Sequence, residues 1–175
     1  MGRKKHPHRT KTLYILRGLP GTGKSDRAWE LQQRFGGEII SADDYWPRNK
    51  VGHYRVIPGE LHKAHMWARN EGLKAMDREV DPVIIDNTNM THWDMYPYVL
   101  MAFNRGYWIK FKVMKDTWHV SLEDLYSINK KRIPFSTLER MKSKYQPVRH
   151  IYDILRDDDI AEEWKSRREM KDSSW

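Results

Sequence analysis

Apolar and polar positions along the chain alternate between two periods, and the switch points mark its elements. Leu13-Tyr14-Ile15-Leu16 is an apolar run of strand length, and Asp26 to Phe35 carries Ala28, Leu31 and Phe35 at helical spacing. Gly36-Gly37 closes that helix, and Glu38-Ile39-Ile40-Ser41 predicts a second short strand running into Asp43-Asp44-Tyr45. Trp46 to Gly59, with Pro47, Gly52 and Pro58, predicts a polar loop. Leu61, Ala64, His65, Ala68, Leu73, Ala75 and Met76 then share one side of a helix over about Glu60 to Arg78.

The next run, Pro82-Val83-Ile84-Ile85-Asp86, is continuously apolar up to its last residue, which predicts a strand buried on both faces. Asn87-Thr88-Asn89 turns into a helix near Thr91 to Arg105, with Thr91 or Asn89 as its N-cap. Tyr107 to Met114 predicts a further strand after the break at Gly106. From Asp116 the pattern is helical, over Trp118 to Asn129 and Pro134 to Tyr145, with Lys130-Lys131-Arg132 between. A helical segment around Val148 to Leu155, the acidic patch Asp157-Asp158-Asp159 and a mixed-charge tail to Trp175 complete the chain.

Strands and helices in alternation predict an α/β fold, a parallel sheet with helices on both faces. In such sheets ligands bind beyond the carboxyl ends of the strands, so the loops after the strands are where chemistry belongs. Three of those ends carry pointed residues: Gly18–Ser25, Asp43-Asp44, and Asp86-Asn87-Thr88-Asn89.

Gly18 to Ser25 reads GLPGTGKS and fits G-x-x-x-x-G-K-[ST], the phosphate-binding loop. The glycines let backbone N–H groups converge on phosphates, the lysine reaches the β- and γ-phosphates, and the last hydroxyl binds Mg²⁺. The strand before it and the helix after it are the context the motif needs, since the helix N-terminus adds its own field. Gly21, Thr22, Gly23, Lys24 and Ser25 are therefore the candidate ATP cradle, with Asp26 beside them and Ser25 on the metal.

The chain of 175 residues has room for one domain with a real core. Its net charge of +8 makes a nucleic-acid partner a serious expectation. Residues 1–11 hold five Lys/Arg and two His with no acid, which predicts a disordered basic arm. With no cysteine there is no disulfide and no thiolate metal site, and a reducing cytoplasm suits the composition. No stretch approaches the ~18 apolar residues of a membrane span. These features predict a soluble intracellular protein without a membrane partner; they are silent on oligomeric state.

Phosphoryl transfer needs a cradle, a metal, a group to take the acceptor proton, and cations for the transition state. Asp43, one crossover from the loop, is placed to take that proton, and Asp44 to fix its turn. Asp86 is a candidate for Mg²⁺, through water, or for orienting Lys24 or another cation of the site. Lys130, Lys131 and Arg132 would close over the nucleotide, with Arg132 best suited to two phosphate oxygens. Asp43, Asp44, Arg48, Arg55, Asn87 and Thr88 are the candidate acceptor-binding residues.

LYILRGLPGTGKS, SADDY, the helix with AHMWA, and PVIIDNTNMTHWDMYPYV together resemble the P-loop polynucleotide kinases over about residues 12–147. The likeness is greatest to the NEDD4-binding-protein-2-like branch, with phage 5′-hydroxyl polynucleotide kinases further off. It implies an adenylate-kinase-like P-loop NTPase fold, a kinase domain over 12–155 with a helical lid over about 117–146; the charged tail over 156–175 is read from its residues alone. It further implies transfer of the γ-phosphate of ATP, with Mg²⁺, to the 5′-hydroxyl of DNA or RNA. On it Asp43 matches the general base, Asp86 the supporting aspartate and Arg132 a lid arginine, in host cytoplasm if the chain is phage-encoded. Asp26 stands where the family usually has threonine, Ile128 where the phage enzymes have a second lid arginine, and Trp46 where they have an acceptor arginine. Arg48 or Arg55 would substitute for the last, while Trp46 either stacks on a base or packs inside.

Three other readings use the same loop. They are a kinase of a nucleoside or other small molecule, a kinase of a modified-base hydroxyl within DNA, and a P-loop adaptor that binds ATP without turnover.

Overall fold

In the computed structural model, which describes residues 10–50, 55–167 and 175, four strands form one parallel sheet in the order β2-β3-β1-β4. They are β1 (Thr12–Arg17), β2 (Glu38–Ile40), β3 (Val83–Asp86) and β4 (Trp108–Val113). Leu13 aligns with Val83 and Ile109, and Leu16 with Asp86 and Lys112, so the carboxyl ends of the central strands lie level. β3 is buried throughout, as its unbroken apolar run requires.

The period-two alternation of β1 decides the two layers. Tyr14 and Leu16 join Ile84 against Ala28 and Leu31 of α1 (Lys24–Phe35). Leu13 and Ile15 face the opposite, larger core with α2 (Leu61–Asp77) and α3 (His92–Asn104). Thr91 caps α3 in a reciprocal box with Asp94, each side chain taking the other's N–H at 3.2 Å. Asn89, the other N-cap expected, instead adopts a left-handed φ of 48° and donates to the Leu16 carbonyl at 2.8 Å.

Two helical expectations are revised. The segment Trp118 to Asn129 is α4 (Asp116–His119) and α5 (Leu122–Ile128), because extended Val120 separates them and Ser121 caps the second at the Asp124 N–H. With α6 (Phe135–Ser143) they enclose a small core of Leu125 and Leu138 that also takes in Leu19 and Met90.

Residues 156–175, expected as a charged tail, contain structure. After α7 (Tyr152–Leu155), Asp157 caps α8 (Asp158–Ser166) by accepting the Ile160 N–H at 3.1 Å. Trp164 on α8 is fully buried and stacks on Trp93 at 4.3 Å, with Trp175 against its edge at 5.6 Å. Its indole N–H donates to the Trp93 carbonyl at 3.2 Å, the acceptor that Pro97 inside α3 cannot serve because proline has no N–H. The expected disordered arm at 1–11 falls, except for Thr10 and Lys11, outside the described residues. No described helix is long and apolar enough to cross a membrane.

Candidate active site

The loop between β1 and α1 is shaped by its glycines. Gly21 and Gly23 have φ of 83° and 91°, where a β-carbon is strained. A β-carbon on Gly18 would lie within 2.9 Å of Thr22, Met114 and Thr117 side-chain atoms. Gly23 caps α1 without any side-chain acceptor, so the first N–H groups of the helix stay available to an anion. The Thr22 hydroxyl donates to the Leu19 carbonyl at 2.7 Å, and the Thr117 hydroxyl accepts the Leu19 N–H at 3.2 Å.

Lys24 is buried and donates to the Leu19 carbonyl at 2.9 Å. Burial pushes its ammonium down to about 8, although the Asp86 and Asp43 carboxylates pull the other way. The Ser25 hydroxyl donates to Asp86 Oδ2 at 2.9 Å, joining the end of the phosphate loop to the end of β3. Burial raises Asp86, while the Ser25 hydrogen bond and Lys24 oppose the shift. Among the described residues no three His, Cys, Asp or Glu gather into a metal site of their own. The Ser25–Asp86 pair fits Mg²⁺, a hard ion that takes one or two protein oxygens and fills its shell with phosphates and water.

Asp43 and Asp44 are exposed on a 3-10 turn, Ala42–Tyr45, which Ser41 caps by accepting the Asp43 N–H at 3.3 Å. Asn87 Oδ1 accepts the Ala42 N–H at 2.9 Å, so the turn is tied to the end of β3. Asn87, an expected acceptor contact, thus serves as the strut that positions Asp43. Thr88 accepts the Gly18 N–H through its carbonyl at 3.0 Å and lines a polar cleft with Thr91, Asp94, Arg140 and Lys144. Arg48 pairs with Asp44 at 2.8 Å, and Arg55 is exposed beside Pro47, Val56, Ile57 and Pro58. Trp46 packs inside, 3% exposed, with its ring edge-on to Tyr45 at 5.1 Å, which removes it from base stacking. Asp26 is exposed in the first turn of α1, where the helix dipole favours a carboxylate.

The segment expected as a lid touches the loop through a residue that the motif reading missed. Asn129 donates to the Pro20 carbonyl at 2.9 Å, and Ile128 and Asn129 are the side chains a β-carbon on Gly21 would meet. Lys130 and Lys131 both hold left-handed φ angles, 53° and 57°, and Lys131 N–H closes the end of α5 on the Tyr126 carbonyl at 2.9 Å. Lysine in place of the usual glycine hid this helix stop from the sequence. Lys131 and Arg132 are exposed, with Lys131 Nζ 6.0 Å from the Tyr126 ring, and the Arg132 N–H bonds the Asn129 carbonyl at 3.1 Å.

Arg17 was also missed. Fully buried at the end of β1, it donates to the carbonyls of Asn89 at 2.8 Å, Met90 at 3.1 Å and Gln146 at 2.6 Å. It also lies over the Tyr145 ring at 4.5 Å. The available signal was a charge closing an otherwise apolar strand.

Residues 13–148 match the family described as AAA domain. Human NEDD4-binding protein 2 is 36% identical over 145 residues, 82% of this chain and 8% of that protein. Mouse 2′,3′-cyclic-nucleotide 3′-phosphodiesterase is 26% identical over 140 residues, 77% of this chain and 31% of that protein. The chain therefore spans a minor part of the length of either relative. Among solved structures, the Pnkp1/Rnl/Hen1 RNA repair complex is similar at TM-score 0.58 and 23% identity, over 82% of this chain and 46% of the matched one. A gluconokinase from Sinorhizobium meliloti 1021 is similar at TM-score 0.53 and 16% identity, over 91% of this chain and 100% of the other. Both likenesses are of fold.

Proposed function

The chain belongs to this AAA-domain family and is a P-loop, polynucleotide-kinase-like protein, and on that premise we propose that it phosphorylates the 5′-hydroxyl ends of nucleic acid from ATP. The observation that carries the reading is the strut from Asn87 to Ala42, which fixes the Asp43 turn to the same strand end that holds Asp86 and Ser25. On this proposal Asp43 is the proton acceptor beside the phosphate cradle.

In this reading Asp43 takes the proton of the attacking hydroxyl as its oxygen bonds phosphorus and the bond to the leaving diphosphate breaks. Lys24 and the uncapped N–H groups of α1 hold phosphate charge, and Arg132 on the lid adds a cation as that charge moves. Ser25 and Asp86 would hold Mg²⁺, which neutralises phosphate oxygens when bound. Asp44 and Arg48 form one wall of the acceptor approach, with Arg55 and Thr88 as further contacts. The net charge of +8 supports a polyanionic acceptor over a small neutral one.

Asp43→Asn tests the base directly. Transfer from γ-labelled ATP should fall by about 10²-fold or more, while nucleotide affinity stays near wild type. Transfer at the wild-type rate in that variant removes Asp43 from the chemistry.

A further inference from the structure

β4 is the outer strand of the sheet, hydrogen-bonded to β1 along one edge. Its odd-numbered residues Ile109 and Phe111 pack into the larger core beneath α3. Trp108, Lys110 and Lys112 align with Thr12, Tyr14 and Leu16 and so stand on the opposite face, the one α1 covers further along. α1 lies over β1, β2 and β3 and leaves this end of the face open. Trp108 is 61% exposed, the most exposed large apolar side chain among the described residues, and no described ring packs on it.

The open face is basic. Lys110 is exposed, with Nζ 5.9 Å from the Tyr14 ring centroid, and Lys112 is half-buried. Among the described residues neither lysine is in an ion pair. The acids at the lower end are engaged: Glu79 with Lys11 Nζ at 3.0 Å, and Asp81 with the Thr12 N–H at 2.9 Å. At its upper end β4 reaches the phosphate loop, where Met114 N–H donates to the Arg17 carbonyl at 2.7 Å. A strand of six residues rises about 20 Å, so the row leads from the far edge of the sheet up to the active-site edge.

We infer that the open edge of this sheet face, Trp108-Lys110-Lys112 of β4 outside the buried Tyr14 of β1, is a docking platform for single-stranded nucleic acid. Trp108 stacks on a base and the two ammonium groups meet backbone phosphates. One exposed aromatic ring followed by two ammonium groups along one open face suits a single strand, which offers a base to stack and backbone phosphates beside it. The platform rests on the nucleic-acid acceptor of the proposed function and extends it, holding the strand away from its reacting end.

The test uses the full chain, Trp108→Ala, and Lys110→Ala/Lys112→Ala, with dinucleotide and ~20-nucleotide single-stranded acceptors. Binding is read by anisotropy of a 3′-labelled strand, and transfer is read separately. Trp108→Ala should weaken the long strand about tenfold and leave the dinucleotide and ATP unaffected. The double-lysine variant should reduce the slope of log K against log salt by about 1.4, roughly 0.7 per phosphate contact. KM for the long acceptor should rise with kcat unchanged. Melting curves confirm folding of both variants, and the lysine pair provides a second reading if Trp108→Ala is unstable.

Wild-type affinity and salt slope in both folded variants overturn the platform, whatever the transfer activity. Binding of the long strand that depends on Trp108, with no transfer to any 5′-hydroxyl, overturns the kinase reading and keeps the platform. A wild-type dimer that Trp108→Ala dissociates, with strand affinity unchanged, assigns the face to a second copy and overturns the platform.

Discussion

Arg17→Met removes the cation that pins the chain after α6 to the sheet, and its cost follows from what it leaves behind. Three carbonyls lose a donor: Asn89, Met90 and Gln146. The Met90 oxygen keeps the Gln146 N–H at 2.9 Å, so two carbonyls lose the guanidinium bond without that substitute. An unsatisfied buried acceptor costs about 1–3 kcal/mol, which gives about 2–6 kcal/mol for the two carbonyls, and the lost contact with the Tyr145 ring adds to it. For a chain of this size each kcal/mol moves the melting temperature by about 2–4 °C. A fall of about 4–24 °C is therefore expected, with Arg17→Lys intermediate because an ammonium keeps the charge but not the planar fork. Calorimetry measures the fall, and amide exchange should show the amides of α5 and α6 opening first. An Arg17→Met protein that melts within about 2 °C of wild type would refute the pinning argument.

Two further outcomes are expected. Lys24 has its native pKa near about 8 against 10.5 in the unfolded chain, so between those values the unfolded state binds more protons and stability rises with pH. Below pH 8 the cost of the buried ammonium is present in full. Tyr107, pushed up to about 12, reverses the slope above pH 10, so the clean window is pH 8–10. Lys24→Met should remove the rise and stabilise the nucleotide-free protein at pH 7 by ~1–3 kcal/mol; an unchanged slope would contradict the assignment. Trp164→Ala empties a fully buried ring site and should cost about 3–5 kcal/mol, read by urea unfolding, whereas a loose tail would cost almost nothing.

Elements whose stability is local were legible in the sequence. β1, β3 and α1 follow from apolar periodicity alone, and the Thr91–Asp94 box marks the start of α3 by its spacing. The Ser25–Asp86 contact follows from the rule that strand ends in a parallel sheet share one edge. What escaped depends on tertiary partners. Asn129 matters because of the Pro20 carbonyl, and nothing around it in sequence says so. α8 is short and its acidic start resembles a solvated patch; Trp164 makes it part of the core by serving the carbonyl that Pro97 leaves without a donor. Asn87 stands in sequence as a substrate contact at the end of β3, and that its Oδ1 also accepts the Ala42 N–H depends on a partner 45 residues away.

Transfer of label from γ-labelled ATP to a panel of 5′-hydroxyl DNA and RNA strands, nucleosides and a no-acceptor control tests the central claim most directly, with Lys24→Ala as the blank. The account predicts label on a strand, lost to a 5′-phosphatase, absent with Lys24→Ala and nearly absent with Asp43→Asn. Label confined to nucleosides, label on a strand that resists the phosphatase, or ATP bound with no label anywhere would each contradict it.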